Sequence, residues 1–310
     1  MTLRFRSFVK KDLSGLVALF NTVRKGSYEF MPLTEEEVLA RIQGDTSQIL
    51  IAEDNDEILG SVTYSNGHWG EEIRWLAVYT RSDKKAIEDT LVGEAEKLVH
   101  GESVFTSIES DSPRIKEWMD RGYNVDGGLY QMIARLDLRR PVPPIPEGTV
   151  LRSMEKEEGK KTAEMVNGVF EWERLTPDFA EKARSESSPF SEEWVHLAEV
   201  QQKIVSVVVA WPAVKYNRYF GAKRGYLGPA ATVVEFRSKK LASALTVRAM
   251  NFLYEKGMDE VVLHTSERNI PSITLLRNIG FEIGYKWKFL RKYVKQKADQ
   301  NRCSDANIVE

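Results

Sequence analysis

The sequence predicts an α/β protein made of two copies of one fold, each a mixed, largely antiparallel sheet flanked by helices. Three observations carry this. First, the stretch ILIAEDNDEILGSV at Ile49–Val62 returns as VHLAEVQQKIVSVV at Val195–Val208, in register at a displacement of 146 residues from Ala52 to Ala198. The same displacement pairs Phe5-Arg6-Ser7-Phe8 with Leu151-Arg152-Ser153-Met154, and Asn21 with Asn167. Further on it lengthens to 158, where Glu109, Pro113, Ile115, Gly122 and Tyr123 match Glu267, Pro271, Ile273, Gly280 and Phe281. Solenoids and propellers repeat every ~20–50 residues, so a period this long is a domain. Second, the segment DLRRPVPPIPEG at Asp137–Gly148 puts four prolines between Pro141 and Pro146. Proline removes backbone donors and favours a stiff, extended connector. Third, strand-length apolar runs alternate with helix-period stretches, and an antiparallel start to such a pattern implies a mixed sheet between helices.

Each copy reads as strand, helix, helix, two antiparallel strands, strand, helix, strand, helix, strand. In the second copy the first strand is Val150–Met154, and a helical stretch follows with Ala163, Val166, Val169 and Phe170 on its apolar positions. Val195–Val200 and Ile204–Trp211 form a hairpin that turns at the polar pair Gln201-Gln202. A helix spans Leu241 to Lys256, with Leu245, Ala249, Phe252 and Leu253 on one face and Gly257 as its C-cap. Glu260–Thr265 is a buried strand, Ser272–Asn278 a helix, and Ile283–Tyr293 the last strand. The expected division is therefore a first domain over 1–140, a linker over 141–146, a second domain over 147–295 and a polar tail over 296–310.

Composition narrows the function classes. The 310 residues are 42% hydrophobic and 29% charged with a net charge of −2, the balance of an ordinary globular chain, with no global attraction to nucleic acid or an anionic membrane. Apolar runs such as Ile204–Trp211 fall short of the ~20 residues of a membrane span, and the N-terminus MTLRFRSFVKKD lacks the apolar core of a secretory signal. A single cysteine, Cys303, cannot close an intramolecular disulfide, which fits a reducing compartment and a cytoplasmic location. Four isolated histidines give no metal-ligand spacing, so no metal is expected.

The segment from Gly225 to Leu245, GYLGPAATVVEFRSKKLASAL, is where chemistry concentrates. It reads as a strand, a short basic turn and a helix whose first turn is built of small residues. A helix N-terminus offers unpaired N–H groups and the positive end of the macrodipole, a natural seat for phosphate. Arg237, Lys239 and Lys240 add positive charge, while Ser238, Ala242 and Ser243 leave room for a diphosphate.

This turn resembles the acyl-CoA-binding loop of the GNAT superfamily of N-acyltransferases, whose pattern is Gln/Arg-x-x-Gly-x-Gly/Ala. Arg237 matches the first position and Ala242 the last, but Lys240 stands where the family prefers glycine. Downstream, NIPSITLLRNIGF at Asn269–Phe281 is similar to the family's Asn-x-x-Ala-x-x-Leu-Tyr-x-x-x-Gly-Phe segment, matching at Asn269, Leu275, Gly280 and Phe281. The family's frequent general-acid tyrosine falls on Leu276, which cannot donate a proton. The tandem arrangement is also seen in mycothiol synthase. The resemblance implies acetyl-CoA or another acyl-CoA as cofactor, held by Ala231, Thr232 and Val233 of the strand, by Arg237, Ser238, Lys239 and Lys240 of the turn, by Leu241, Ala242 and Ser243 of the helix, and by Asn269. It further implies direct attack of a neutral amine on the thioester, with the carbonyl polarised by a backbone N–H of the strand Leu227–Val233.

In the first copy the equivalent turn is TRSDKKAIEDTL at Thr80–Leu91. Registered on Leu91 and Leu245, Asp83 replaces Arg237 and Glu88 replaces Ala242, and two carboxylates there repel a diphosphate. The first domain is expected to be a degenerate, structural copy and the second the acyl-CoA-binding one.

For catalysis the candidates are Glu267 as a base and Tyr285 as a replacement acid. Glu267 recurs as Glu109, which also suits a structural role, and Tyr285 lies in an alternating run that also reads as an aromatic sheet face. Glu199, Glu235 and His264 are the other candidates for the base, and the recurrence of Glu199 as Glu53 also suits a structural role. Asn269 either contacts cofactor or caps the following helix, or does both. The expected partner is a small-molecule amine or a peptide acceptor, with Glu171, Glu173 and Glu235 holding its ammonium and Trp172, Trp211 and Tyr216 as apolar walls. The alternative function is a non-catalytic acyl-CoA sensor or interaction protein.

Overall fold

The computed structural model describes residues 3–43, 47–67, 70–80, 83–185 and 190–294. Cys303 and the tail over 296–310 lie outside the described residues. Two compact units emerge, one ending at Gly127 and taken up again from Trp287, the other Gly128–Lys286.

The first unit holds β1 (Arg4–Ser7), α1 (Leu13–Val23), α2 (Glu35–Gln43), β2 (Ser47–Asp54), β3 (Glu57–Gly67), β4 (Gly70–Val78), α3 (Lys84–Glu96), β5 (Ser103–Glu109) and α4 (Arg114–Asp120), then the start of β6 (Asn124–Arg135). The second holds most of β6, then β7 (Thr149–Ser153), α5 (Gly159–Phe170), α6 (Phe179–Ser185), β8 (Val195–Val200), β9 (Lys203–Pro212), α7 (Val214–Phe220), β10 (Arg224–Thr232), α8 (Leu241–Glu255), β11 (Glu260–Ser266), α9 (Ile270–Asn278) and the start of β12 (Glu282–Tyr293). The expected α/β class and the duplicated mixed sheet are both present. The helix α7 occupies the aromatic stretch that follows Trp211.

The repeated residues do repeated work. Arg6 makes a bidentate pair with Asp12 at 2.6 and 2.9 Å and bonds Glu53, while Arg152 pairs with Glu158 at 2.6 and 2.7 Å and with Glu199 at 2.5 Å. Glu53 and Glu199 therefore lock β1 to β2 and β7 to β8, the first two strands of each copy. Asn21 and Asn167 each pin the connection after the first helix: Asn21 brackets the backbone of Leu33 at 2.8 and 3.0 Å, and Asn167 that of Leu175 at 2.7 and 2.9 Å. The Gly122-Tyr123 and Gly280-Phe281 pairs are helix stops. Gly122 (φ +89°) and Gly280 (φ +92°) take the left-handed geometry, and Tyr123 N–H and Phe281 N–H donate back to Trp118 and Leu276 carbonyls at 3.2 and 2.9 Å. That is the Schellman arrangement, with the buried aromatic as its hydrophobic contact.

Each sheet has helices on both faces. In the second unit α8 and α9 cover one core, with Leu245, Leu253, Leu276 and Phe281, and α5 and α6 cover the other, with Val166, Ala180, Leu197 and Val207. In the first unit α3 and α4 cover Leu91, Val104 and Trp118, and α1 and α2 cover Leu16, Phe20 and Ile51.

The boundary differs from the one the proline run suggests. β6 pairs antiparallel with β11, from Arg135↔Glu260 to Leu129↔Ser266, so residues 128–140 belong to the second unit. β12 ends against β5, from Trp287↔Glu109 to Tyr293↔Ser103, so Trp287 onward belongs to the first. The last strand of each half is thus given to the other unit's sheet. The proline segment is no free linker either: Arg140 exchanges backbone bonds of 2.8 Å with the Asn251 side chain of α8, and Ile145 packs on the second unit's core. A proline run marks where no element forms; it carries no information about which sheet accepts the strand before it.

Candidate active site

In the second unit the strands β10 and β11 run parallel only over Arg224↔Glu260, Gly225↔Val261 and Tyr226↔Val262. Beyond Tyr226, β10 keeps its antiparallel partner β9 but has a register shift between Leu227 and Ala230, at the cis Gly228–Pro229 bond. The two parallel strands therefore part, and one edge of β10 is left without a strand partner between Leu227 and Thr232. Backbone N–H groups on such an edge are available to a ligand oxygen. Val233 is not one of them, since its N–H donates to the Val205 carbonyl at 3.0 Å. Thr232 is engaged through its hydroxyl, 2.7 Å from that of Ser206, and Ala231 is buried with its carbonyl accepting from Ser206.

The basic turn continues from that edge. Arg237, Ser238, Lys239 and Lys240 are all exposed; Arg237 Nε donates to the Thr232 carbonyl at 3.3 Å, and Lys239 Nζ sits 4.7 Å above the Phe236 ring. Ser238 (φ +62°) and Lys240 (φ +63°) both adopt the left-handed conformation. This explains the glycine preference at position 240: glycine takes that geometry without the Cβ penalty of ~1 kcal/mol that lysine carries. Lys240 is the N-cap of α8, yet no side chain caps the helix and no acidic residue lies in its first turn. Leu241 is buried and anchors the helix, while Ala242 and Ser243 are half-buried and small. Free N–H groups, helix dipole, three cations and small side chains fit a diphosphate.

The first unit presents the opposite. Ile87, Leu91, Ala95 and Val99 are buried, as are Leu241, Leu245, Ala249 and Leu253 at a displacement of 154, which supports the register on Leu91 and Leu245. In that register Lys84, Lys85 and Ala86 are already helical where Ser238, Lys239 and Lys240 form the turn. Asp83 Oδ1 accepts the Ala86 N–H at 3.1 Å, so a carboxylate already fills the helix N-terminus. Glu88 is buried between Arg114 and Arg121, each at 3.0 Å, and acts as a structural ion pair.

On the sheet face away from α8, the rings of Trp211 and Tyr226 pack tilted at 42° with centroids 4.8 Å apart, and the Tyr226 hydroxyl shares a hydrogen bond of 3.1 Å with His264 Nδ1. Burial pushes the Tyr226 hydroxyl up, and the positive charge of Arg174 draws it partly back. Arg174 lies over the rings of Trp172 (5.3 Å) and Phe170 (5.9 Å), on the connection that Asn167 pins. Its neighbour Leu175 packs in the same cluster as Trp211 and Ala231.

Of the residues singled out from sequence, the turn and first helical residues come together as one surface. Asn269 caps α9, accepting the Ser272 N–H at 3.3 Å. Leu276 is buried in the core beneath α9. Glu267 directly follows β11, half-buried, with its N–H on the Gly128 carbonyl at 3.0 Å. Tyr285 shares its strand face with Ile283, which packs on the core under α8 and α9, while Gly284 faces Gln131 and Ile133 on the other side. Tyr285 is thus not on the face of the Tyr226–His264 pair. Tyr226 and Arg174 were not singled out from the sequence; strand alternation registered from His264 would have flagged Tyr226, whereas nothing in the pattern marks Arg174. Tyr216 stacks beneath Arg224 at 3.9 Å, and Trp211 and Trp172 remain as walls.

Residues 160–281 match the Acetyltransferase (GNAT) family. Over 149 residues, 46% of this chain and 48% of its relative, the chain is 29% identical to the mycothiol acetyltransferase of Saccharomonospora viridis. Over 106 residues, 34% of this chain and 54% of the relative, it is 31% identical to N-alpha-acetyltransferase 30 of Dictyostelium discoideum. The chain spans about half the length of these curated relatives. Its fold is similar to that of a GCN5-related N-acetyltransferase from Sphaerobacter thermophilus, with a TM-score of 0.69 at 21% identity over 96% of this chain and 97% of the other. It is also similar to a tandem GNAT protein from the clavulanic acid biosynthesis pathway, with a TM-score of 0.66 at 14% identity over 96% and 100% of the two chains. The resemblance read from the sequence is borne out: the second copy matches the GNAT family model, and the whole chain is similar in fold to a tandem GNAT protein.

Proposed function

We propose that this protein is an acyl-CoA-dependent N-acyltransferase, with acetyl-CoA as donor and a primary amine as acceptor, whose second unit works and whose first unit is structural. The observation that carries this reading is the contrast between two helix N-termini: α8 is uncapped beneath Arg237, Lys239 and Lys240, while α3 is closed by Asp83. The relatives named for acetyl transfer support it. Acyl-CoA supplies the acyl group as an activated thioester. The chain's part is to hold the diphosphate on the first turn of α8 and the basic turn, and to aim N–H groups of the open β10 edge at developing negative charge. On the acceptor face His264 is placed to take the amine proton, since its Nδ1 already shares a hydrogen bond with Tyr226. Glu267 and Tyr285 rank behind it. Holding amine and acyl group together supplies much of the remaining acceleration.

Calorimetry on the full chain tests the cofactor site. The expected result is one molecule of acetyl-CoA bound per chain, and Arg237→Glu weakening binding more than tenfold, about 1.4 kcal/mol. A stoichiometry of two, or unchanged affinity, refutes the placement. A screen of acetyl-CoA consumption over amines, amino acids, polyamines and peptides tests turnover. The buried Leu276 and left-handed Lys240 favour a second reading, an acyl-CoA sensor, which binding without transfer to any acceptor would support.

A further inference from the structure

Arg174 is the charge on the acceptor face that neither the fold nor the cofactor site uses. It is exposed and makes no ion pair among the described residues. Its guanidinium lies over Trp172 and Phe170, an arrangement that holds the planar fork in place while leaving its edge donors open. Its backbone is fixed as well, with its N–H donating to Asn167 Oδ1 at 2.8 Å beside the Asn167–Leu175 bonds. Leu175 joins the cluster of Trp211 and Ala231, so the connection is seated against the sheet next to the Trp211–Tyr226 pair. The charge of Arg174 is felt at the Tyr226 hydroxyl, and Tyr226 in turn bonds His264. A pre-positioned, unpaired guanidinium beside aromatic walls is a carboxylate receptor, because the fork matches both oxygens of a carboxylate.

We propose that the acceptor bound on this face carries a carboxylate as well as its amine, and that Arg174 is the residue that recognises it. The acceptor class is then an amino acid or a related small amino carboxylate, and the apolar body of that molecule lies against Trp172 and Trp211. This rests on the reading of the second unit as an acyltransferase. It departs from the expectation that carboxylates at the mouth select for the ammonium: Glu171 and Glu173 flank Arg174 in sequence, but it is the Arg174 guanidinium that lies over the aromatic walls.

The test uses a product-like pair that differs only in charge, N-acetyl-L-phenylalanine and its amide, titrated into the full chain and followed by tryptophan fluorescence. The wild type is expected to bind the carboxylate at least tenfold more tightly than the amide. Arg174→Ala should bring the two within twofold of each other, and Arg174→Lys should keep part of the preference. Both variants should bind coenzyme A in calorimetry as the wild type does. Equal binding of both probes, binding of neither, or a preference that survives Arg174→Ala overturns the inference. A wild type that fails to bind coenzyme A overturns the acyltransferase reading instead, whichever way the fluorescence falls.

Discussion

Replacing Asn167 with alanine should loosen the acceptor face without touching the cofactor face, and the duplicated chain supplies its own control. Asn167 makes three hydrogen bonds to the connection after α5: it donates to the Leu175 carbonyl at 2.7 Å and accepts from the N–H groups of Leu175 and Arg174 at 2.9 and 2.8 Å. Each is worth about 1 kcal/mol net, and the Arg174 N–H can return to water because its residue is exposed. The loss should therefore come to about 2 kcal/mol, felt locally. Amide hydrogen exchange at Arg174 and Leu175 reads this directly: about 2 kcal/mol of easier opening is roughly thirtyfold faster exchange. With the guanidinium no longer held, the carboxylate preference should shrink toward that of Arg174→Ala, while coenzyme A affinity stays as it is. Asn21→Ala removes the equivalent bonds to Leu33 in the first unit and should speed exchange there alone. Unchanged exchange at Arg174 and Leu175, or an equal loss of carboxylate preference in Asn21→Ala, would refute the reasoning.

Two further predictions concern stability. His196 is buried on β8, with Nδ1 bonded to Arg248 and Nε2 without a partner among the described residues; burial, then the Arg248 charge, holds its pKa at about 3. The unfolded chain takes up that proton below about 6.5 and the folded chain does not, so stability is complete above 6.5 and declines as pH falls. Arg6 and Arg152 hold the carboxyls of Asp12 and Glu158 below their ordinary 3.8 and 4.5, so those stabilise above their unfolded values and are lost only at lower pH. Urea midpoints between about pH 7 and 5.5, above the carboxylate range, should thus isolate His196, and His196→Gln should flatten that slope; a slope left intact would sink the assignment. Ending the chain after Lys286 should unfold the first unit, because it removes seven strand pairs with β5 and the fully buried Leu290. The expected signature is loss of exchange protection over β2 to β5 with α8 still protected, and retained protection of β5 would contradict the strand assignment.

Much of the fold was legible because repetition exposes it. Two copies offset by 146 residues, lengthening to 158, show which matches survive divergence, and the survivors Arg6/Arg152, Glu53/Glu199, Asn21/Asn167 and the Gly-aromatic stops prove to be the ion pairs, loop pins and helix ends that each copy needs. The basic turn was legible because the proposed phosphate seat is local: strand end, turn and helix start are contiguous in the chain. Strand membership was not, since β6 and β12 pair at long range and a period-2 pattern suits either sheet. The proposed acceptor face was only half legible. Tyr226, His264 and Arg174 come from a strand, its parallel neighbour and a distant connection, and the direction of Arg174 is set by one asparagine and two rings.

The divergence of the two helix starts says more about the first unit than charge alone. Asp83 and Glu88 read in sequence as repulsive replacements for Arg237 and Ala242, yet neither works mainly by repulsion. Asp83 supplies the cap that α8 lacks, worth about 1 kcal/mol to a helix, and Glu88 is consumed by Arg114 and Arg121 inside the unit. In addition Lys84–Ala86 are wound into helix where the second unit keeps Ser238 and Lys240 in left-handed geometry, strained by ~1 kcal/mol each. The first unit has exchanged a strained, open turn for a capped, relaxed one, and the second has kept the costlier arrangement. Strain of this kind persists where a bound group offsets it, which is the reason to look for the ligand at α8 rather than at α3.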